Sequence, residues 1–274
     1  MKNRQIRDSL KPMRWILLIA ASSATMFAQL AAPNASGISY GHVHMFVNDP
    51  DAEKKIWVDL LGARPTNTGT LQLMSVPGAM VIASKGQKPP TGGSEGSTVP
   101  YVSFHVKSYA DTKAKLTSAN VKLLKDDAKH KTLLGEFPEG VHFEFVEDAS
   151  LATPLAFHHV EIASVNPASL RDWYVKMFSG TKGKRGKALT AVFPGGEIDF
   201  EKTASPGAPT KGRALDHIGF EIVGLEAFCK KLEAAGTPFD LTYRALPQLG
   251  GLQISYLIDP EGTRIELTEG FRGK

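Results

Sequence analysis

The residues best suited to chemistry lie near the end of the chain, in Asp259-Pro260-Glu261-Gly262-Thr263-Arg264-Ile265-Glu266-Leu267-Thr268-Glu269. Asp-Pro-Glu-Gly reads as a tight turn, with Pro suited to its second position and Gly to its fourth. Beyond it, Ile265 and Leu267 share one face of a strand, and Arg264, Glu266 and Thr268 the other. A carboxylate on a strand that closes a hairpin is rigidly aimed, which suits a metal ligand or a catalytic base. The same alternation also describes the solvated face of an ordinary edge strand. Repetition favours the first reading. Pro138-Glu139-Gly140-Val141-His142-Phe143-Glu144-Phe145-Val146-Glu147 repeats the turn, the apolar-Glu-apolar triplet and the last Glu at the same spacing. His42-Val43, Asn48-Asp49-Pro50 and Trp57 are likewise paralleled by His159-Val160, Asn166-Pro167 and Tyr174, with 15 residues from His to aromatic in both. The chain is an internal duplication.

Histidines and acids recur on one face of the strands that open each repeat. In Phe157-His158-His159-Val160-Glu161-Ile162, His159 and Glu161 point one way, Val160 and Ile162 the other. In Asp216-His217-Ile218-Gly219-Phe220-Glu221-Ile222, His217, Gly219 and Glu221 share a face. The apolar face can pack under a helix, which leaves a polar concavity inside a sheet, and buried polar groups need partners.

The elements that position these residues read as four modules. A strand over 40–47 leads to a helix capped by Asn48-Asp49-Pro50 and ended by Gly62, then to strands near 64–68, 71–74 and 80–83. The second module has a strand over 101–106, a helix over 109–119, and strands near 121–124, 132–134 and 141–146. The third has a strand over 157–164, a helix over 168–178, and strands near 189–193 and 197–201. The fourth has a strand over 215–222, a helix over 225–235, and strands near Tyr243, 252–258 and 264–268. The Gly-rich loop over 87–97 lacks the Lys-Ser/Thr ending of a phosphate loop and opens no helix. The expected fold class is α+β: four βαβββ modules in two pairs, each pair a cupped mixed sheet with helices outside.

Residues 1–32 read as a signal peptide and spacer. Lys2, Arg4, Arg7, Lys11 and Arg14 precede the apolar run Trp15–Ala21 and a series of small residues. Residues 1–28 hold five basic groups against Asp8, a net +4, which is the whole formal charge of the chain. The rest balances, so the pI of about 9.0 is no argument for nucleic acid. The expected location is periplasmic or secreted, with no stable membrane insertion once the signal is removed. The single cysteine, Cys229, allows no internal disulfide and falls beside the helical stripe Leu225, Phe228 and Leu232.

From about Gly37 to Gly270 the chain resembles the vicinal oxygen chelate superfamily, which includes glyoxalase I, extradiol dioxygenases and bleomycin resistance proteins. The resemblance rests on His-Val with Asn-Asp-Pro at module starts and on Asp-Pro-Glu-Gly-x-x-Ile-Glu-Leu at the end. It implies paired modules around a divalent metal, with ligands from the first strand of each module and the last strand of the second. Taking modules in chain order gives an N-terminal domain over 38–150 and a C-terminal domain over 154–272. The resemblance then implies His159, His217 and Glu266 as metal ligands, a set suited to Fe(II), with Mn, Ni, Co or Zn as alternatives. The fourth position falls at Asp199, where glyoxalase-like members place a ligand or proton-transfer carboxylate. In the N-terminal half His42 and Glu144 fall on ligand positions, but Tyr101 and Ile82 hold the other two, which implies a degenerate site.

The implied function is a metal-dependent enzyme, glyoxalase-like or dioxygenase-like, that chelates a small oxygenated substrate. Tyr256 stands where the dioxygenases carry a tyrosine near the substrate oxygen. Those enzymes also use an acid-base His upstream of the second ligand, and no His lies between His159 and His217. The isomerase or lyase reading would instead use Asp199 to move a proton. The alternative of another class is a metal-free sequestering protein of the bleomycin-resistance kind. Expected partners are a small-molecule substrate and, as an option, a second copy of the chain.

Overall fold

The computed structural model describes residues 30–274; the signal-peptide expectation for residues 1–29 lies outside them. Among the described residues no helix is long and apolar enough to cross a membrane. The four modules follow one plan. The first is β1 (Ile38–Phe46), α1 (Pro50–Lys54), β2 (Arg64–Thr68), β3 (Leu71–Val76) and β4 (Ala79–Ser84). The second is β5 (Tyr101–Val106), α2 (Tyr109–Ser118), β6 (Lys122–Asp127), β7 (Thr132–Phe137) and β8 (Val141–Glu147). The third is β9 (Leu155–Ser164), α3 (Pro167–Phe178), β10 (Thr181–Arg185), β11 (Ala188–Phe193) and β12 (Gly196–Lys202). The fourth is β13 (Leu215–Ile222), α4 (Leu225–Ala234), β14 (Leu241–Leu246), β15 (Leu252–Ile258) and β16 (Arg264–Glu269).

Local chemistry accounts for the helix starts. Asp49 accepts from the Ala52 amide at 3.0 Å with Pro50 in the first turn. The first helix continues as a π-helix over Lys55–Leu60, which carries the buried Trp57. Only β10 has no counterpart among the sequence expectations. Its Thr-Lys-Gly-Lys-Arg has no apolar residue to show a period, and it lies at a sheet edge, where charge discourages further pairing.

The modules do not pair in chain order. One sheet runs β14-β15-β16-β13-β1-β4-β3-β2 and the other β10-β11-β12-β9-β5-β8-β7-β6. Module one therefore joins module four, and module two joins module three. The sheets cut across the halves 38–150 and 154–272. The linkers give the reason. Residues 148–154 are a short hop that keeps β8 and β9 in one sheet, whereas residues 85–100 and 203–214 are long enough to change sheets. These two crossings run side by side, with Thr98 N donating to Ala208 O and Ala208 N to Gly96 O.

The repeated Pro-Glu-Gly turns latch modules together across the sheets. Glu139 accepts from the Asn48 amide nitrogen and side chain at 3.2 and 2.8 Å. Glu261 accepts from Ser164 Oγ, Val165 N and Asn166 N. Each carboxylate thus sits just ahead of a helix start, where the helix dipole favours negative charge. One apolar core joins both sheets. Tyr40 of β1 stacks on Phe157 of β9 at 4.3 Å, and Phe178 of α3 on Phe220 of β13 at 3.9 Å. Trp57 meets Phe104 and Phe143 edge-on at 5.0 and 4.8 Å. Cys229 is buried in this core. A smaller apolar cluster of Leu30, Leu73, Met80, Ile82, Leu252 and Phe271 packs on the first sheet, with Met80 paired to His42 and Ile82 to His44.

Candidate metal centre and the open second cup

Each sheet is centred on two antiparallel opening strands, β1 with β13 and β5 with β9. In the first sheet, the β1–β13 register slips between Tyr40 and His42 and again between His44 and Met45. Such bulges re-aim side chains. His42 stands opposite Gly219, where an added Cβ would lie 2.0 Å from His42 Cε1. Only glycine at 219 leaves the ring its place.

Three donors converge there. His42 Nε2 lies 2.8 Å and His217 Nε2 3.1 Å from the same oxygen, Glu266 Oε2. All three side chains are buried. The contact of His42 has ion-pair distance without hydrogen-bond alignment, and its other ring nitrogen has no partner. His217 is held from behind, its Nδ1 2.7 Å from Asp216 Oδ1. Asp216 in turn accepts from Arg264 at 2.8 Å and from the Gly212 amide at 2.6 Å. Arg264 also reaches Asp240 at 2.9 Å and lies over the Tyr256 ring at 3.9 Å. Carboxylate support of a ligating imidazole fixes its tautomer and direction.

Charge follows geometry. Burial pushes the Glu266 carboxyl up, but the His217 charge and hydrogen bond, then His42, overcome it and hold it well below its ordinary value. Burial pulls His217 down, and Glu266 and Asp216 more than restore it, so its pKa is raised. Burial lowers the pKa of His42 against the pull of Glu266. The 3.1 Å contact between His217 Nε2 and Glu266 Oε2 thus holds together donors that a cation could join. Two imidazoles and an ionised carboxylate, one imidazole braced and the other lacking a hydrogen-bond partner, fit a borderline divalent ion.

The expected set was His159, His217 and Glu266. The structure brings His217 and Glu266 together with His42 in place of His159, because module one, not module three, shares the sheet of module four. Tyr256 is paired across from Glu266, its ring 5.2 Å from His217. Asp199 lies in the other sheet, beside His159. Beside the triad, Phe271 meets His42 edge-on at 5.3 Å. Its segment is pinned by Glu221, one oxygen of which accepts from the amides of Gly270, Phe271 and Arg272 at 3.0 Å each. His44 and Tyr256, both partly buried, flank the triad, their rings 4.7 and 5.2 Å from that of His217.

The second cup opens on a cavity of about 800 Å³, lined among others by Tyr101, Glu144, His159, Glu161, Arg185 and Asp199. His159, Glu161 and Asp199 also form a group whose donor atoms lie within 4.8 Å of one another. Their partners differ from those of the first cup. Tyr101 Oη donates to Glu161 at 3.3 Å. Asp199 accepts from Arg185 Nε at 2.7 Å and from Thr190 at 3.1 Å. The guanidinium further contacts Glu197 at 2.5 Å and the ring of His158. Burial, then the Asp199 and Glu201 charges, push Glu161 up to about 8. Burial, then Arg185, push His159 down to about 2. Sequence reasoning missed Arg185, since it ends the strand that periodicity could not show. The three-strand pattern of the other modules was the signal that could have found it.

No family model and no curated protein matches the chain. Solved structures do. Glyoxalase I from Zea mays aligns with a TM-score of 0.66 at 14% identity, over 85% of this chain and 92% of that one. A putative dioxygenase from Bacillus subtilis aligns with a TM-score of 0.62 at 16% identity, over 88% and 86%. With four βαβββ modules closed into two eight-stranded cupped sheets, the chain has the vicinal oxygen chelate fold.

Proposed function

We propose that the chain is a divalent-metal-dependent enzyme acting on a small oxygenated molecule, with the ion held by His42, His217 and Glu266. The supporting observation is the convergence of these donors, two imidazole nitrogens on one carboxylate oxygen, braced by Asp216. A bound divalent ion would supply Lewis-acid polarisation of a substrate oxygen. The chain's own groups do the rest. Asp216 and Arg264 fix the direction of His217, and Phe271 with its apolar neighbours keeps water from one side. Tyr256, paired across from Glu266 with its ring 5.2 Å from His217, places its hydroxyl beside the donors, where it can meet a substrate oxygen. Asp199 belongs to the other sheet and to a separate donor group, so the base of an isomerase or lyase reaction would come from the first cup.

The test is metal content after reconstitution with Fe(II), Co(II) or Zn(II). His42→Ala, His217→Ala and Glu266→Ala should each lose the ion, by at least ~10–100-fold in affinity. His159→Ala should keep it. Loss in His159→Ala with retention in His42→Ala would restore the chain-order set. Absence of tight metal in the parent protein would favour the metal-free sequestering reading.

A further inference from the structure

The two cups carry similar donor groups with different partners. In the first, His42 Nε2 lies 2.8 Å from Glu266 Oε2 without hydrogen-bond alignment, and His217 Nε2 lies 3.1 Å from the same oxygen. In the second, each candidate donor is already engaged by the protein. Both oxygens of Asp199 face Arg185, at 2.7 and 3.4 Å, and Thr190 adds a third contact. Glu161 accepts from Tyr101, and His159 Nδ1 lies 3.2 Å from His158 Nδ1. His158 itself touches the same guanidinium.

We propose that the second cup works without a metal, the Arg185 guanidinium supplying the fixed positive charge that a divalent ion would supply in the first. A guanidinium stays protonated at any physiological pH. Repulsion between it and a divalent ion a few ångströms away, in a half-buried site, opposes occupancy. Arginine's planar fork also engages carboxylates in a geometry that one point charge does not reproduce. Asp199 is thereby paired with a cationic side chain without a metal ion, and both of its oxygens are already in hydrogen bonds.

This assignment gives the open cavity a ligand class. At about 800 Å³ it is of the size that holds small organic molecules. Its polar floor offers Tyr101, His159 and Glu161 beside a fixed cation, and its rim carries Lys187 and Lys202. Four carboxylates (Glu144, Glu161, Asp199 and Glu201) face three cationic side chains there, so the lining is close to charge balance. A small polar molecule held by hydrogen bonds, not by chelation, fits that lining. The inference leans on the proposed metal centre only for the contrast between the cups.

The experiment counts Co(II) ions per chain and follows their visible absorption in the full-length protein. Arg185→Met removes the fixed charge and should add about one ion per chain to the parent's count, with a second cobalt spectrum. Adding Asp199→Asn should abolish that increment. Arg185→Gln removes the charge but keeps hydrogen-bonding capacity, and serves the same purpose if the Met variant does not fold. A folded Arg185→Gln or Arg185→Met protein with no increment overturns the proposal. So does a parent protein that loses an ion on Asp199→Asn but not on His217→Ala. A parent that binds no metal, with the increment still present, would defeat the proposed metal centre and leave this inference standing.

Discussion

Gly219→Ala is the sharpest probe of the first cup, because it changes no donor. Its new Cβ would lie 2.0, 2.3 and 2.5 Å from Cε1, Nδ1 and Nε2 of His42. The ring cannot yield easily. His42 is fully buried, with the rings of Phe271 and His217 centred 5.3 and 5.5 Å away. Either strand β1 shifts or the imidazole swings out of the triad. Overpacking of this kind costs about 1–3 kcal/mol. In a domain of this size that lowers Tm by roughly 2–12 °C. Metal affinity should fall by at least ~10–100-fold, the range seen when groups that merely support a ligand are removed. The assay pairs isothermal titration with Co(II) against thermal unfolding followed by circular dichroism. Combining Gly219→Ala with His42→Ala separates the two effects. The double variant should recover Tm relative to Gly219→Ala and still bind no metal. Full affinity in Gly219→Ala, or no recovery of Tm in the double variant, would refute the packing argument.

Two further outcomes follow from groups away from the triad. Glu53 is fully buried, with Trp57 Nε1 donating to it at 3.2 Å, and burial, against that bond and with help from Glu139, pushes its carboxyl up to about 8. A raised acid pKa stabilises the folded state fully below the unfolded value near 4.5, and that contribution is lost as pH rises through about 8. Over that window the loss is on the order of 5 kcal/mol. Glu53→Gln should therefore gain stability relative to the parent as pH rises from 5 to 8 in urea titrations, and parallel curves would dismiss the idea. Nearer the N-terminus, export with cleavage near residues 29–33 would decide whether Leu30 stays against the first sheet, where it packs with Phe271, and whether Ala31 O keeps its bond from Arg272. N-terminal sequencing of protein from cell fractions settles the cut, and uncleaved protein in the cytosol would contradict export.

Much of the site is legible in the sequence alone. The turn signals and the alternation around Glu266 and Glu144 depend on neighbours within about ten residues, and so did the placing of His42, His159 and His217 on polar strand faces. The 15-residue interval from His to aromatic, repeated at 42–57 and 159–174, made the duplication visible for the same reason. Backbone periodicity and turn chemistry are local, and sequence records local preferences directly. The partner of each module is not local. Whether β1 lies beside β13 or β5 depends on what the long linkers 85–100 and 203–214 can span and on aromatic contacts such as Tyr40 on Phe157. No residue of β1 encodes that choice alone. It places His42, not His159, beside His217 and Glu266, and sends Asp199 to the other cup. The role of Glu139 and Glu261 as latches, the need for glycine at 219, and the guanidinium of Arg185 beside Asp199 arise where strands distant in sequence meet. Those contacts are set by packing across the sheets, and only the tertiary structure decides them.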